Sequence, residues 1–452
     1  MIRASTAPDT KNLLDFFLAE FARSEADHAS DPAWLRTVRR KAIGRLSDLG
    51  FPTMRDEEWR FTPIAPMLQT SFVPSGAPLA DPEPGAVLAI AFPYRAPSQL
   101  VFVNGRYVPS RSTVWTMPPG VRVGSLAEAL AATPDALGFH LARMACYDDQ
   151  AFRALNTAFL RDGAYIEIPA NLVIEEPIHV LFVSSLAAGA TAAHPRTLAV
   201  VGENSQVRII ESYAGEDHGR YLTNAVTEVA LGAGAVVDHS RVQLDGDEAF
   251  HIGATHATLG RNASYTSHAV TFGAAISRSD IDVTLAGEGA TCTLNGLYLA
   301  SGRQVVDHHT TIDHARPHGT SHELYKGILG GHARAVFSGK ILVRPDAQKT
   351  DARQTNRTLL LSDEAQINTK PQLEILANDV KCTHGATVGQ MSEDALFYLR
   401  ARGIGRDEAR RLLIHAFASD VLGRIPLETV RAQLDALLAA RLRTASGTEA
   451  SS

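Results

Sequence analysis

Cysteine is scarce in this sequence. The 452 residues include only three cysteines, Cys146, Cys292 and Cys382, and these form no CxxC pair. The first twenty residues carry acidic side chains among apolar ones, a pattern that fits neither a secretory signal nor an Arg-rich transit peptide. A disulfide framework is therefore not expected, and a reducing, cytoplasmic location is predicted.

Long apolar runs and long basic runs are absent as well. No apolar stretch reaches the ~18 residues that a membrane-spanning helix requires. The formal net charge is -6, and no basic run is long enough to form a nucleic-acid footprint or an anionic-membrane patch. We therefore expect protein or metal partners, with no nucleic acid and no membrane.

Motifs of three common enzyme classes are also missing. The tripeptide Ser-Gly-Lys at 338–340 comes nearest to a phosphate-binding loop, but Ile341 follows it and Arg334 occupies the place of the first glycine. Neither a Gly-x-Gly-x-x-Gly dinucleotide fingerprint nor a Gly-x-Ser-x-Gly nucleophile elbow occurs. We expect that this chain binds no nucleotide by itself and is not an enzyme.

Residues 1–97 are predicted to be a helical region followed by a connector. Apolar residues early in this region recur at helical spacing on one face, namely Leu13, Leu14, Phe17, Leu18 and Phe21. A second periodic stretch runs from Trp34 to Leu49, and Gly50 and Pro52 should end it. Pro and Gly recur between 71 and 97, which indicates an irregular connector.

Residues 98–390 are predicted to form a parallel β-helix. Short segments rich in Val, Ile, Thr and Tyr alternate with Gly and Asn, as strands and turns do. A weak repeat contains Gly202, Gly232, Gly260 and Gly287, and its period of about 28 residues suits stacked coils. A β-sandwich and a propeller are the alternatives, but hairpin dipeptides are sparse and no blade signature recurs.

Residues 391–452 are predicted to be a C-terminal helical domain. Ser392 suits the N-cap of a helix that ends at Gly403, and Asp407 suits the cap of the next helix, which Gly423 should end. That second helix is expected to bury one face, formed by Leu412, Leu413, Ala416 and Phe417. The last helix carries an apolar stripe of six residues: Leu427, Val430, Leu434, Leu437, Leu438 and Leu442. Packing within the domain and docking of a partner are both open uses of this stripe.

Histidines are concentrated in one segment, since five of the 17 fall between His308 and His322. On an extended strand His308 and His314 share a face, while His309 points to the other side. A metal site here would need ligands from neighbouring coils, and a metalloenzyme that uses these histidines is one rival function. Packing on a sheet face or at a subunit seam is the alternative.

A second candidate site consists of Cys382 and His384. If the strand is extended, the two side chains point to the same face with their α-carbons about 7 Å apart. Thiolate and imidazole both bind iron–sulfur clusters and zinc, and Lys381 is expected to help lower the thiol pKa. Because a cluster commonly needs four protein ligands, a cluster here would be shared with another chain or bound transiently. The alternative is a cysteine packed in the last coil beside a surface histidine.

Five segments of the sequence carry a family resemblance. They are DEEWRFTP at 56–63, NTAF at 156–159, ELYKG at 323–327, CTHGATVG at 382–389 and SEDALFYLRARGI at 392–404. Together and in this order, they resemble the SufD family of the SUF iron–sulfur cluster assembly system. The resemblance extends from about Asp56 to Asp420, which is most of the chain.

The resemblance implies a mainly β protein, with a right-handed parallel β-helix flanked by helical N-terminal and C-terminal domains. It also implies two kinds of partner: a SufB-like paralogue, and two copies of the SufC ATPase docked by the C-terminal helical domain. A transient iron–sulfur cluster would form at the SufB–SufD seam and pass to apoproteins. His384 would be the interface histidine and Cys382 the nearby thiol, each a candidate metal ligand shared with the partner subunit. Homodimer formation by the isolated subunit, and a reduced flavin as electron source in the complex, are left open.

SufB proteins share the implied fold but differ from this chain in two places. They carry a Glu-His-Glu-Ala-type stretch where this chain has residues 381–386, and their main cluster cysteine lies in a segment replaced here by 363–370. An architectural role with a minority share of ligands is therefore implied. A carbohydrate-active β-helix enzyme is the other rival, but it would need a secretion signal and clustered carboxylates or Arg and Lys residues on one coil face, and neither is visible.

Overall fold

The computed structural model describes residues 11–73, 90–186 and 189–448. Its helices are α1 Lys11–Ser24, α2 Ala33–Leu49, α3 Ala65–Leu68, α4 Leu126–Ala132, α5 Pro134–Leu137, α6 Ala151–Ala158, α7 Glu393–Ala401, α8 Arg406–Leu422 and α9 Glu428–Thr448. Gly50 adopts a left-handed φ of 66° and ends α2 as predicted. Most of the connector predicted at 71–97 lies outside the described residues.

Strands dominate the middle of the chain. They are β1 Ser98–Val103, β2 Arg106–Tyr107, β3 Arg122–Ser125, β4 Ala164–Ile168, β5 Ile178–Ser184, β6 Ala192–Ala193, β7 Arg196–Val201, β8 Gln206–Gly215, β9 Leu222–Leu231, β10 Val236–Leu244, β11 Phe250–Leu259, β12 Ser264–Phe272, β13 Ile276–Leu285, β14 Thr291–Ala300, β15 Val305–His314, β16 Thr320–Leu329, β17 Arg334–Val343, β18 Asp351–Leu360, β19 Gln366–Ile375 and β20 Lys381–Gln390.

These strands form two sheets that face each other. Sheet A has the order β2-β1-β5-β8-β10-β12-β14-β16-β18-β20, and sheet B has the order β19-β17-β15-β13-β11-β9-β7-β4-β3, with β6 beside β9. Successive long strands alternate between the sheets, so one strand from each makes a coil, and about 8 turns stack in parallel. This confirms the predicted mainly β fold with a β-helix core and helices at both ends.

The coils are held in register by their inner side chains and by glycine corners. Leu231, Leu259 and Leu285 are aligned on neighbouring strands of sheet B and are all buried. At the corner that follows, a Cβ on Gly232 would lie 2.8 Å from the backbone nitrogen of Glu203 in the coil below. Only glycine allows such close stacking, which explains the glycine repeat in the sequence.

The N-terminal helices cover the outer face of sheet B. Apolar residues of these helices and of the segment between α2 and α3 pack in one cluster with outward-facing side chains of the strands, namely Leu13, Phe17, Leu46, Phe51 and Trp59 with Leu222, Phe250, Ile252, Ile276 and Val305. Each fully buried side chain of this kind contributes about 1.5–3 kcal/mol through the hydrophobic effect.

The C-terminal helices cover the outer face of sheet A. Ile414, Val421 and Leu434 pack there against Val242 and Leu297. Ser392 caps α7 as predicted, since its hydroxyl accepts a hydrogen bond from the Ala395 backbone N–H at 3.3 Å. The stripe on α9 is confirmed as a packing face, with four of its six residues buried: Val430, Leu434, Leu438 and Leu442.

Three details of the sequence prediction are wrong. Helices α4 to α6 interrupt the region predicted to consist of strands. The N-cap of α8 is Gly405 and not Asp407, which lies in the first turn of the helix. Leu412 is 46% exposed, whereas Ala409 and Ile414 are buried, so the packed face of α8 lies beside the predicted one. Burial against sheet A decides this face, and α8 alone does not show which of its apolar residues meet the sheet.

Candidate functional site

The last coil of the β-helix, which we also call the solenoid, ends both sheets. β20 pairs with β18 on one side only, and β19 pairs with β17 on one side only. In the described part of the chain, no further strand follows them. Apolar side chains are exposed along this coil, with Ile375 41%, Leu376 54% and Val388 45% accessible. We call β19 and β20, with the loop between them, the open end.

Cys382 and His384 both lie on β20 at the open end. Their register partners on β18, Ala352 and Gln354, are buried on the inner face of sheet A. Cys382 and His384 therefore share the inner face, as the sequence predicted. Cys382 is partly buried, and it packs against a small apolar cluster that includes Ile341. His384 is exposed. The structure thus brings the two predicted site residues together at an uncovered sheet edge.

The environment of Cys382 disfavours its thiolate. Burial raises the pKa of this thiol, and the nearby Asp351 carboxylate raises it further. The expectation that Lys381 lowers the thiol pKa is therefore wrong. Lys381 precedes Cys382 on the strand, so its side chain points to the opposite face. The free thiol stays protonated at neutral pH and must lose its proton when it binds a metal.

The histidines between His308 and His322 do not converge on a site. His308 lies in the interior between the rings of Tyr298 and Tyr325. His314 is also inside, and its Nε2 lies 2.9 Å from the Ser321 hydroxyl; two others are exposed, His318 and His322. His309 points outward, so the predicted alternation of His308 and His309 is confirmed. Within residues 11–73, 90–186 and 189–448, no group of three or more His, Cys, Asp or Glu could hold a metal ion.

Comparisons with known proteins decide the family. Residues 182–417 match the family model described as "SUF system FeS cluster assembly, SufBD core domain", and residues 9–180 match the "SufBD protein N-terminal region". This chain belongs to the SufBD family. The predicted resemblance to SufD of the SUF iron–sulfur cluster assembly system is thereby confirmed.

Three relatives show how far the similarity extends. A SufBD-family iron–sulfur cluster assembly protein of Synechocystis sp. is 38% identical over 404 residues, 88% of each chain. The iron–sulfur cluster assembly protein SufD of Escherichia coli is 31% identical and covers 88% of this chain and 91% of its own length. SufD of Bacillus subtilis is 24% identical over 94% of this chain and 98% of its own length.

One segment that carries the SufD resemblance, residues 56–63, anchors the N-terminal region to the solenoid. The Arg278 guanidinium stacks over the Trp59 ring at 4.0 Å, and its Nη1 lies 2.9 Å from Asp307 Oδ2. The Thr62 hydroxyl donates to the same oxygen at 2.6 Å. Arg278 and His309 together hold the pKa of Asp307 at about 2, against the effect of burial. This network joins the N-terminal region to β13 and β15, so its role is structural.

A second such segment, residues 323–327, has one face inside the solenoid and one outside. Glu323 and Tyr325 point inward and are buried. Lys326 points outward, and its ammonium donates to the Phe417 carbonyl at 2.9 Å on α8. Sequence reasoning gave Glu323 no role. Alternation along β16 was the signal that could have found it, because it puts an ionisable residue on the inner face, where most side chains are apolar.

No helix in the described ranges combines the length and the apolar character needed to cross a bilayer.

Proposed function

We propose that this SufBD-family chain is a SufD-type scaffold subunit on which an iron–sulfur cluster is assembled together with a SufB-like paralogue. The observation that carries the proposal is the open end, where two unpaired sheet edges meet and Cys382 and His384 share the inner face. A protein edge strand that is left uncovered is a template for strand addition by another chain. The paralogue is therefore proposed to continue both sheets here.

The ligand count supports a shared site. Cys382 and His384 supply at most two ligands, and a [2Fe–2S] or [4Fe–4S] cluster commonly takes four. A paralogue that pairs with β20 would bring its own side chains to the same seam. The cluster is then a cargo that is built between the subunits and released to apoproteins.

The C-terminal helices are proposed to dock a SufC-type ATPase. Their inner faces are occupied by packing on sheet A, but Phe397 is 72% exposed, Tyr398 is 56% exposed and Leu412 is 46% exposed. Large apolar side chains that are exposed on the surface are typical of protein interfaces. The ATPase would supply the nucleotide-binding motif that this sequence lacks.

Movement of the docked ATPase would reach the solenoid through α8. Lys326 on β16 is 4% exposed and holds α8 through Asp420 and the Phe417 carbonyl. A shift of α8 would therefore pull directly on a central strand of sheet A. We propose that closure of the ATPase upon ATP binding moves the C-terminal helices and rearranges the seam at the open end. A SUF scaffold of this kind works in the reducing cytoplasm, where its three cysteines remain unpaired.

The proposal is tested by co-expressing the chain with its cognate paralogue and ATPase and measuring which subunits co-purify. Val388→Asp places a charge on the open end and is expected to lose the paralogue while retaining the ATPase. Phe397→Ala removes an exposed aromatic from α7 and is expected to weaken ATPase binding alone. The control is Trp115→Ala, because Trp115 is 66% exposed and lies outside both proposed docking surfaces. This variant should retain both partners. Retention of both partners by all three variants would contradict the proposed docking surfaces.

A further inference from the structure

Glu323 is a carboxylate in the interior of the solenoid without a cationic partner. Its side chain lies on the inner face of β16 and is 3% exposed. Gln354 Nε2, on the next strand of the same sheet, donates to its Oε2 at 2.8 Å, and the Thr310 hydroxyl on β15 lies beside the carboxyl group. In the described residues, Oε1 has no partner with good hydrogen-bond geometry. Burial of a carboxylate without a cation is costly unless it is protonated or hydrogen-bonded.

The other buried carboxylates of the solenoid are paired. Glu228 Oε2 lies 2.7 Å from the Arg196 guanidinium, and Glu211 Oε2 lies 2.9 Å from His239 Nε2. Asp307 is held by Arg278, as described above. Glu323 alone among these four carboxylates lacks such a partner, and burial accordingly raises its pKa to about 7.

Several polar atoms around Glu323 also lack a protein partner. They are Gln354 Oε1, Asn356 Oδ1, the Tyr325 hydroxyl and both ring nitrogens of His308, and all of them are buried. Buried polar atoms are almost always hydrogen-bonded, and ordered water supplies the partner where the protein does not. A cluster of such atoms from three strands, β15, β16 and β18, points to a binding site for water in the interior.

A glycine in the facing sheet makes room for this arrangement. Gly339 lies on the inner face of β17, and a Cβ at this position would overlap the amide nitrogen of Gln354. The Gln354 side chain thus reaches across the interior and lies against the backbone of sheet B. No larger residue at 339 would allow Gln354 to keep its hydrogen bond to Glu323.

Glu323 belongs to a row of inward-facing side chains, on successive strands of sheet A, that ends at the candidate site. Glu323 is in register with Gln354, and Gln354 is in register with His384 on β20. The three side chains face the interior from successive strands, so Glu323 and His384 are separated by about 10 Å along the sheet. The inner row therefore runs from a buried carboxyl to the exposed histidine of the open end.

The other titratable groups that face Glu323 stay neutral. Burial raises the pKa of Cys292 on β14 and of Tyr325 on β16 itself. On β15, burial lowers the pKa of His308 to about 3. The facing residues of β17 and β18 include Gly339 and Gln354, which carry no charge. Arg241, further along the interior, donates to the Ser279 hydroxyl. In this part of the described structure, Glu323 is the group that can change its charge near neutral pH.

We propose that Glu323 is the proton acceptor for the site at Cys382 and His384, and that ordered water in the interior connects it with His384 along Gln354. When the Cys382 thiol binds a ferrous ion, the S–H bond breaks and an S–Fe bond forms. The proton released passes along the water to the Glu323 carboxylate, which becomes a neutral acid, and no electron is transferred. Metal binding by a thiol releases its proton, and Glu323 offers an internal acceptor for it. The transfer of a proton from Cys382 to Glu323 rests on the proposed function. The presence of water in the interior and the titration of Glu323 do not depend on it.

The titration of Glu323 is tested by infrared spectroscopy of the full chain between pH 5 and 9. The wild type is expected to show the carbonyl stretch of a buried protonated carboxylic acid, which disappears with a midpoint near 7. Glu323→Gln removes this band, and the control Glu364→Gln, at an exposed loop residue, retains it. Gln354→Leu removes the donor to Oε2 and should raise the midpoint. A wild type without this band overturns the proposal.

The hydration is tested by a crystal structure that resolves ordered water. Water within about 2.6–3.2 Å of Glu323 Oε1 and Gln354 Oε1 is expected. A dry interior in which these oxygens find protein partners overturns the proposal.

The role of the proton is tested in the co-purified complex by the pH profile of cluster formation. The wild-type rate should rise through pH 7 as Glu323 ionises, and Glu323→Gln should be slower by tenfold or more at pH 8 and lose this rise. An unchanged pH profile in Glu323→Gln overturns the proposal. Failure of the proposed function itself gives a different result. The complex with His384→Ala would then form the cluster as well as the wild type.

Discussion

Lys326 and Asp420 tie the solenoid to the C-terminal helices. The Lys326 ammonium lies 2.8 Å from Asp420 Oδ2, and it also sits 4.5 Å above the Phe417 ring. Lys326 belongs to the strand whose opposite face carries Glu323. One strand therefore contacts both the helices proposed to dock the ATPase and the polar interior.

Lys326→Met is expected to loosen α8 on the sheet. Methionine keeps the length of the side chain but removes the donor to Asp420 and to the Phe417 carbonyl, so the free energy of unfolding should fall by about 1–3 kcal/mol. Hydrogen exchange should increase in α8. The control is Lys340→Met, because the pair of Lys340 with Glu374 is exposed on both sides and is expected to contribute only about 0–1 kcal/mol. Equal effects of the two variants would contradict the account of Lys326.

Trp59→Ala is expected to detach the N-terminal region from sheet B. Trp59 is 6% exposed, and its loss leaves both a cavity and an unstacked Arg278, so unfolding should become easier by about 3–5 kcal/mol. Phe61→Ala, at a residue that is 43% exposed, should change stability by less than about 0.5 kcal/mol. Urea unfolding measures both. A small effect of Trp59→Ala would show that this anchor is not needed.

The stability of the fold is expected to depend on His309 at alkaline pH. Burial alone would favour the neutral ring, but Asp307 and Glu58 raise the pKa of His309 from 6.5 to about 9. Because the folded-state pKa is the higher one, this contribution is fully present below pH 6.5 and is lost as pH rises through 9. It amounts to about 3 kcal/mol at ~1.4 kcal/mol per pH unit.

Thermal unfolding of wild type and His309→Asn across this pH range measures the effect. The difference between the two proteins should shrink between pH 6.5 and 9. The control His322→Asn alters an exposed histidine and should follow the wild type. A constant difference between wild type and His309→Asn would contradict the ion pair.

Thiol alkylation is expected to distinguish the three cysteines. Cys146 is exposed and should react first, and Cys292 is fully buried and should react only after unfolding. Cys382 should react slowly at neutral pH and faster as pH rises, because its pKa is raised. In the complex with the paralogue, its rate should fall by tenfold or more, and added ATP should change it. If nucleotide leaves the rate unchanged, the proposed movement of the seam is contradicted.

Local patterns explain how much of the fold could be predicted. Each corner glycine lies against the backbone of the preceding coil, and this requirement recurs at a regular spacing. Gly202 and Gly232 therefore indicate the repeat in the sequence even before the strand pairing is known. Ser392 could be predicted as an N-cap because it hydrogen-bonds only within the helix that it caps. The packed face of α8 could not be predicted, because contacts with sheet A determine it.

The candidate site could also be predicted only in part. The alternation of β20 put Cys382 and His384 on one face from sequence alone. The pKa of Cys382 is raised by its burial and by Asp351 on the neighbouring coil, and the sequence shows neither of these surroundings. Glu323 was missed because its role depends on contacts with Gln354 and Gly339, which lie on two other strands.

The most direct test of a shared cluster site is the iron and acid-labile sulfide content of the complex with the cognate SufB-like and ATPase subunits, purified without oxygen. Wild type is compared with His384→Ala and with the matched surface variant His322→Ala. The account predicts that His384→Ala loses the cluster while the complex stays intact, and that His322→Ala keeps it. Full retention of iron and sulfide by His384→Ala would contradict a role for this chain in holding the cluster and would leave it a purely architectural subunit.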